Sequence, residues 1–155
     1  MEKIKNILVP ITFTEDSKAI LDNAVTIAEK FKAKITVFHV LREPKVDLSE
    51  IDFELGFIEK IKANQEEEAE KELKQLISEP FLKKCQIKTD MRWGQPFVEI
   101  VNEAKKLKAD LIVMGTHGRT GLSHVLIGSV AEKVLRLAPC PVMVIRKKDY
   151  KYEPL

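Results

Sequence analysis

Residues 113–135, VMGTHGRTGLSHVLIGSVAEKVL, gather the residue types best placed to do chemistry in this chain. Gly115, Gly118, Gly121 and Gly128 fall there, with His117, Arg119, Ser123, His124 and Ser129 among them. The stretch leaves an apolar, strand-like run and enters a helix-like pattern of Val130, Val134 and Leu135. Glycine admits positive φ and lets a ligand approach the backbone, while a helix start offers unpaired N–H groups and partial positive charge. Ser129 stands where a hydroxyl can cap free amides. This is chemistry for holding an anion, and a phosphate fits it.

The known phosphate loops exclude themselves in turn. A Walker A loop needs a Gly-Lys pair, and none occurs in the chain. A dinucleotide G-x-G-x-x-G would follow the first strand, which instead runs into VPITFTEDS. What remains is Gly115-x2-Gly118-x9-Gly128-Ser129, placed after the fourth strand. Catalytic machinery is not evident either. The sequence has no G-x-S-x-G elbow, no HExxH and no clustered His or Cys, and adjacent Ser123 and His124 point apart if helical. Binding without efficient turnover is the expectation, with at most slow hydrolysis of a bound phosphate ester.

A chain of 155 residues with 45% hydrophobic content predicts a single domain, residues 1–155, able to bury a core. The 26 basic and 24 acidic side chains nearly cancel and are scattered, which argues against a nucleic-acid or anionic-membrane partner. No apolar run approaches the roughly 20 residues that span a bilayer, so a cytoplasmic location is expected. Cys85 and Cys140 lack metal-ligand spacing and read as buried, reduced thiols.

The elements alternate. Residues 3–11 form a near-continuous apolar run, followed by helical spacing of Ile20, Leu21, Ala24, Ile27, Ala28 and Phe31. Lys34–Leu41 predicts a second strand. Residues 48–78 predict a long helix with a thin stripe of Ile58, Ile61, Ala69, Leu73, Leu76 and Ile77, breaking near Gly56 and ended by Pro80, with Glu66, Glu67 and Glu68 on a solvated face. Residues 85–93 predict an edge strand that Trp93 packs. Gly94 and Pro96 open a helix carrying Phe97, Ile100, Val101 and Ala104. A strand at 109–115, a helix at 129–138 and a last strand at 140–147 complete a βαβαβαβαβ order. Such alternation predicts an α/β fold with a parallel sheet and helices on both faces, its ligand at the carboxyl ends of the strands.

Here the chain resembles the universal stress protein family, in its ATP-binding branch. ILVPITFTEDS is similar to that family's opening strand and loop, FHV to its second strand end, and MGTHGRTGLSHVLIGSVAEKVLRLAPCPVMVI to its closing signature. The resemblance covers nearly the whole chain. It implies an open five-stranded sheet of order 3-2-1-4-5, Rossmann-like and akin to the adenine nucleotide alpha hydrolases. It also implies that Gly115, Gly118, Gly128 and Ser129 meet ribose and phosphates, with His117, Arg119 and Val130 lining the same loop. Val40 meets adenine through its backbone, and Pro10, Ile11 and Met114 form the floor. The implied cofactor is ATP, or AMP or ADP, with Mg2+ held through the phosphates. One departure stands out: the family's nucleotide binders usually carry aspartate after the first strand's proline, and this chain has Thr12. Losing a charge-assisted hydrogen bond there costs about 1.5–3 kcal/mol, roughly ten- to a hundred-fold in affinity.

Two functions of different class follow. One is an adenine-nucleotide-binding regulatory module of the stress response, acting on a protein partner that the sequence does not name. The other is a nucleotide-independent homodimer that scaffolds other chains. Both predict dimerisation through the last strand, residues 141–146, whose edge invites a twin strand. Within the loop, Arg119 has the planar fork that suits phosphate oxygens. His117 and His124 are also read as solvated, and His39 as a satisfied strand-end histidine rather than a base.

Overall fold

Runs without polar alternation become the central strands. β1 (Asn6–Pro10), β2 (Lys34–Leu41) and β4 (Leu111–Gly115) are buried along most of their length, as parallel strands covered on both faces must be. β3 (Gln86–Trp93) and β5 (Val142–Ile145) are only partly buried and form the two edges. The computed structural model describes residues 3–47, 49, 56–116 and 127–146. Within them five strands pair in parallel in the order β3-β2-β1-β4-β5, the order the resemblance implied.

Alternate strand residues bury on opposite faces. Ile7, Val9, Ile35, Val37 and Val113 pack under α1 (Ser17–Phe31) and Leu73 of α2 (Phe57–Ile77). Leu8, Phe38, Ile112 and Met114 pack on the other face against Ile100 and Ala104 of α3 (Pro96–Lys106) and Ala131 and Val134 of α4 (Ser129–Leu137).

Several expected boundaries shift for local reasons. β1 starts at Asn6 rather than residue 3, where Asp110 Oδ2 accepts from the N–H groups of Lys5 (2.8 Å) and Asn6 (2.9 Å). Residues 14–16 form a turn before α1, closed by Ser17 N–H donating to the Thr14 carbonyl at 3.0 Å. α2 begins after Gly56, whose φ of 91° is strained for any residue with a Cβ. The part of the long helix expected over residues 50–55 lies outside the described residues. Of its predicted apolar stripe only Ala69 and Leu73 are buried. A 3-10 turn, Pro80–Lys84, follows it.

Phe31 and Leu135, expected to face inward, are 40% and 42% exposed, the neighbouring Val134 filling the core instead of Leu135. Glu103 is buried on α3, with Lys106 Nζ 3.5 Å from both its carboxylate oxygens. Cys85 and Cys140 are free thiols and half-buried rather than buried. Desolvation pushes both thiols up, helped by Glu29 at Cys85 and by Asp110 at Cys140. Among the described residues no helix is long and apolar enough to cross a membrane.

Candidate functional site

Where the strand order reverses, between β1 and β4, the chain leaves the sheet in opposite directions and opens a crevice at the carboxyl ends. A cavity of about 410 Å³ occupies it. Of the residues expected at the site, Pro10, Ile11, Thr12, Val40, Met114, Gly115, Gly128, Ser129 and Val130 all line this cavity. They come from the ends of three strands and the start of one helix. His117, Gly118 and Arg119, with His124, lie outside the described residues.

The end of β1 is held by β2. Ile11 N–H donates to the Phe38 carbonyl at 2.9 Å, and the Ile11 carbonyl accepts from His39 Nδ1 at 3.0 Å. Because a carbonyl only accepts, this contact places a proton on Nδ1. His39 is buried, and its ring lies 4.4 Å from that of Phe13. It is thus a strut that seats the strand end, as expected for it. Phe13 adopts φ 53°, a left-handed conformation costly for a bulky residue, directly after Thr12 at the cavity.

β2 runs on where β1 has stopped. The last register pair is Pro10↔Phe38. In a parallel ladder alternate residues turn both backbone groups to the same neighbour. Phe38 faces β1, so Val40 turns its N–H and C=O to that side too, beyond the end of the strand. Leu41 faces the other way, its carbonyl accepting from Gly94 N–H at 3.0 Å. Val40 therefore presents one donor and one acceptor beside the cavity it lines.

The glycine-rich segment is pinched at its base. Gly128 N–H donates to the Thr116 carbonyl at 2.7 Å, and Thr116 N–H to the Ile145 carbonyl at 3.2 Å. Two expectations change here. Ser129 is the first residue of α4 and not its cap; Gly128 takes the cap position, with no side-chain hydrogen bond. Gly128 also has φ −66°, open to any residue, so positive φ is not what the position requires. Glu132 N–H, on Gly128 O at 3.0 Å, makes the first intrahelical bond. The N–H groups of Ser129, Val130 and Ala131 precede it, and all three residues line the cavity.

The sequence leaves residues 47–78 open either to covering the cleft or to serving as a partner surface, and the structure puts α2 at the cleft. Gln65, Glu68, Ala69 and Glu72 of α2 form one wall, and Arg42 stands just past β2. Glu68 is exposed, as its solvated-face reading expects, and borders the open cavity as well. Thr116 and Ala131 were within reach of sequence reasoning as neighbours of the motif, whereas nothing in the polar pattern of α2 marked its cavity-facing side. Trp93 does more than pack the edge, since its Nε1 donates to Glu66. A shallower groove of about 350 Å³ adjoins the cavity at Arg42, Pro96, Ser129 and Val130, and continues to Lys133. Among the described residues no group of three or more His, Cys, Asp or Glu side chains could hold a metal ion.

The comparisons with known proteins agree with this architecture. The model of the universal stress protein family matches residues 3–146. The universal stress protein MJ0531 of Methanocaldococcus jannaschii is 41% identical over 145 residues, covering 92% of this chain and 82% of its own. The structure of universal stress protein UspA from Lactobacillus plantarum, 27% identical, superimposes with a TM-score of 0.79 over 94% of this chain and all of its own (100%). A universal stress protein from Archaeoglobus fulgidus, in complex with dAMP, shares the fold at 19% identity and a TM-score of 0.60, over 93% of this chain and 98% of its own. From its sequence match and its strand order together, the chain belongs to the universal stress protein family.

Proposed function

We propose that the chain is a regulatory module that binds an adenine nucleotide in the cavity between β1 and β4. The observation that carries this reading is the pairing, on one cavity, of the free backbone edge of Val40 with the first-turn amides of α4. One donor and one acceptor complement adenine, whose N1 accepts and whose 6-amino group donates. Unpaired amides at a helix start, with the positive end of its dipole, suit phosphates. Pro10, Ile11 and Met114 supply the apolar floor, and Thr12 meets the ribose. Gly115 and Gly128 let the phosphates come close, His117, Gly118 and Arg119 of the intervening sequence contribute to the same site, and Mg2+ is held by the phosphates alone. The volume falls within the range of small-molecule sites. The fold itself accommodates an adenine nucleotide in the A. fulgidus protein. Nucleotide occupancy then biases affinity for a protein partner, with hydrolysis slow or absent.

Thermal unfolding with and without magnesium-ATP tests this, beside a Gly118→Glu, Gly128→Glu variant that fills the loop. ATP at 100 times its dissociation constant adds about 2.7 kcal/mol to stability, a shift of several degrees. The parent shifts and the variant does not. No shift of the parent in millimolar ATP, ADP or AMP sinks the reading.

The homodimeric scaffold has its own supporting observation. β5 is an outer strand, so among the described residues one of its edges has no strand partner, and Met143, Leu135 and Leu137 nearby are 39%, 42% and 54% exposed. A twin strand along residues 141–146 covers that edge.

A further inference from the structure

Gln65 lines the cavity from α2, and its Oε1 is buried with no hydrogen-bond partner. Folded proteins rarely leave such an atom orphaned, because its lost hydration is then uncompensated. Nor is the residue there through a loosely placed helix. Lys62 Nζ pairs with Glu43 Oε1 at 2.9 Å and lies 4.5 Å from the centre of the Trp93 ring. Glu66 accepts from Trp93 Nε1, and Ala69, one turn on, is buried. These contacts fasten the turn that bears Gln65 to the ends of β2 and β3, on the side of the cavity where Val40 offers its backbone.

A glutamine amide carries an acceptor and a donor side by side. That pair matches the 6-amino group and N7 of adenine, which glutamine can engage together. The amino group has two hydrogens, so Val40 C=O can accept one and Gln65 Oε1 the other once the amide, which no hydrogen bond among the described residues holds in its closed-off position, turns into the cavity. Gln65 Nε2 then donates to N7. Guanine presents O6 and N7, both acceptors, and leaves Oε1 as orphaned as before. We propose that Gln65 is the specificity-determining residue of the nucleotide site, reading the N6/N7 edge of the base and excluding 6-oxopurines. This rests on the nucleotide reading above.

Isothermal titration of the parent, Gln65→Leu and Gln65→Glu with ATP, GTP and 7-deaza-ATP tests it. The parent prefers ATP to GTP and binds 7-deaza-ATP, which lacks the N7 acceptor, several-fold more weakly than ATP. Gln65→Leu loses about ten- to a hundred-fold in ATP affinity and no longer distinguishes ATP from 7-deaza-ATP. Its unliganded melting temperature does not fall, because the substitution removes an orphaned acceptor. Gln65→Glu keeps an acceptor for the amino group but has no donor for N7, so it too binds ATP and 7-deaza-ATP alike. It covers the case in which the leucine variant fails to fold. Unchanged ATP affinity in Gln65→Leu, or a 7-deaza penalty that persists in either variant, overturns the assignment while leaving the nucleotide site standing. A parent that binds none of the three nucleotides overturns both.

Discussion

Thr12 sits at the cavity where a carboxylate could accept from ribose hydroxyls, and a neutral hydroxyl makes the weaker partner. Thr12→Asp is therefore expected to tighten ATP binding by about ten- to a hundred-fold, read by titration calorimetry; unchanged affinity means that this side chain does not meet the ribose. The two thiols make a separate case. Neither Cys85 nor Cys140 lines the cavity, and desolvation raises both above the ordinary thiol range. Alkylation by iodoacetamide at pH 8 should be slower in the native protein than in urea. The sign for stability follows: as pH rises through the ordinary thiol range the unfolded chain deprotonates first, so these groups lower stability toward alkaline pH. Equal native and unfolded alkylation rates at pH 8 contradict this account of the thiols.

α1 and α3 stop by the same device. Lys32 and Lys108 adopt left-handed φ of 56° and 49°, and the following alanines donate back, Ala33 to Ala28 O and Ala109 to Ala104 O, both at 2.9 Å. Lysine carries a Cβ penalty in that conformation that glycine avoids. Lys32→Gly and Lys108→Gly should each raise stability by about 0.5–1 kcal/mol in urea unfolding, the gain limited by glycine's greater freedom in the unfolded chain. A loss in either variant means that the lysine's own packing outweighs the strain. The same terminal geometry matters for the site, because it brings Ala33 and Ala109 directly into the strands that end at the cavity.

Across the molecule, the reversal of strand order creates the crevice, and the two outer strands close the sheet differently. β3 is covered at its carboxyl end by α2 through the Trp93 contacts, whereas β5 is short and carries the exposed Met143. If β5 pairs with its twin, sedimentation velocity finds a dimer. Met143→Arg then shifts it toward monomer, because apposed charges at the two-fold contact repel. A monomeric parent removes the scaffold reading and leaves nucleotide binding untouched.

The fold class, the element order and the position of the glycine-rich segment were legible in the sequence because they depend on local properties. The largely apolar, β-branched runs of β1, β2 and β4, alternating with helical spacing, read as strands covered on both faces, and the spacing Gly115, Gly118, Gly128, Ser129 begins at a strand end whatever surrounds it. Other features needed the tertiary structure. Periodicity gives the buried face of a helix but neither its angle nor its offset across a sheet, so the sequence could offer residues 47–78 as a cover for the cleft but not single out Gln65, Glu68 and Glu72 as the side chains that border it beside Gly128. The tie from His39 to Ile11 O and the orphaned Gln65 Oε1 exist only once β1 stops short of β2 and α2 settles over their ends. Those are consequences of packing between distant segments, which spacing along the chain does not encode.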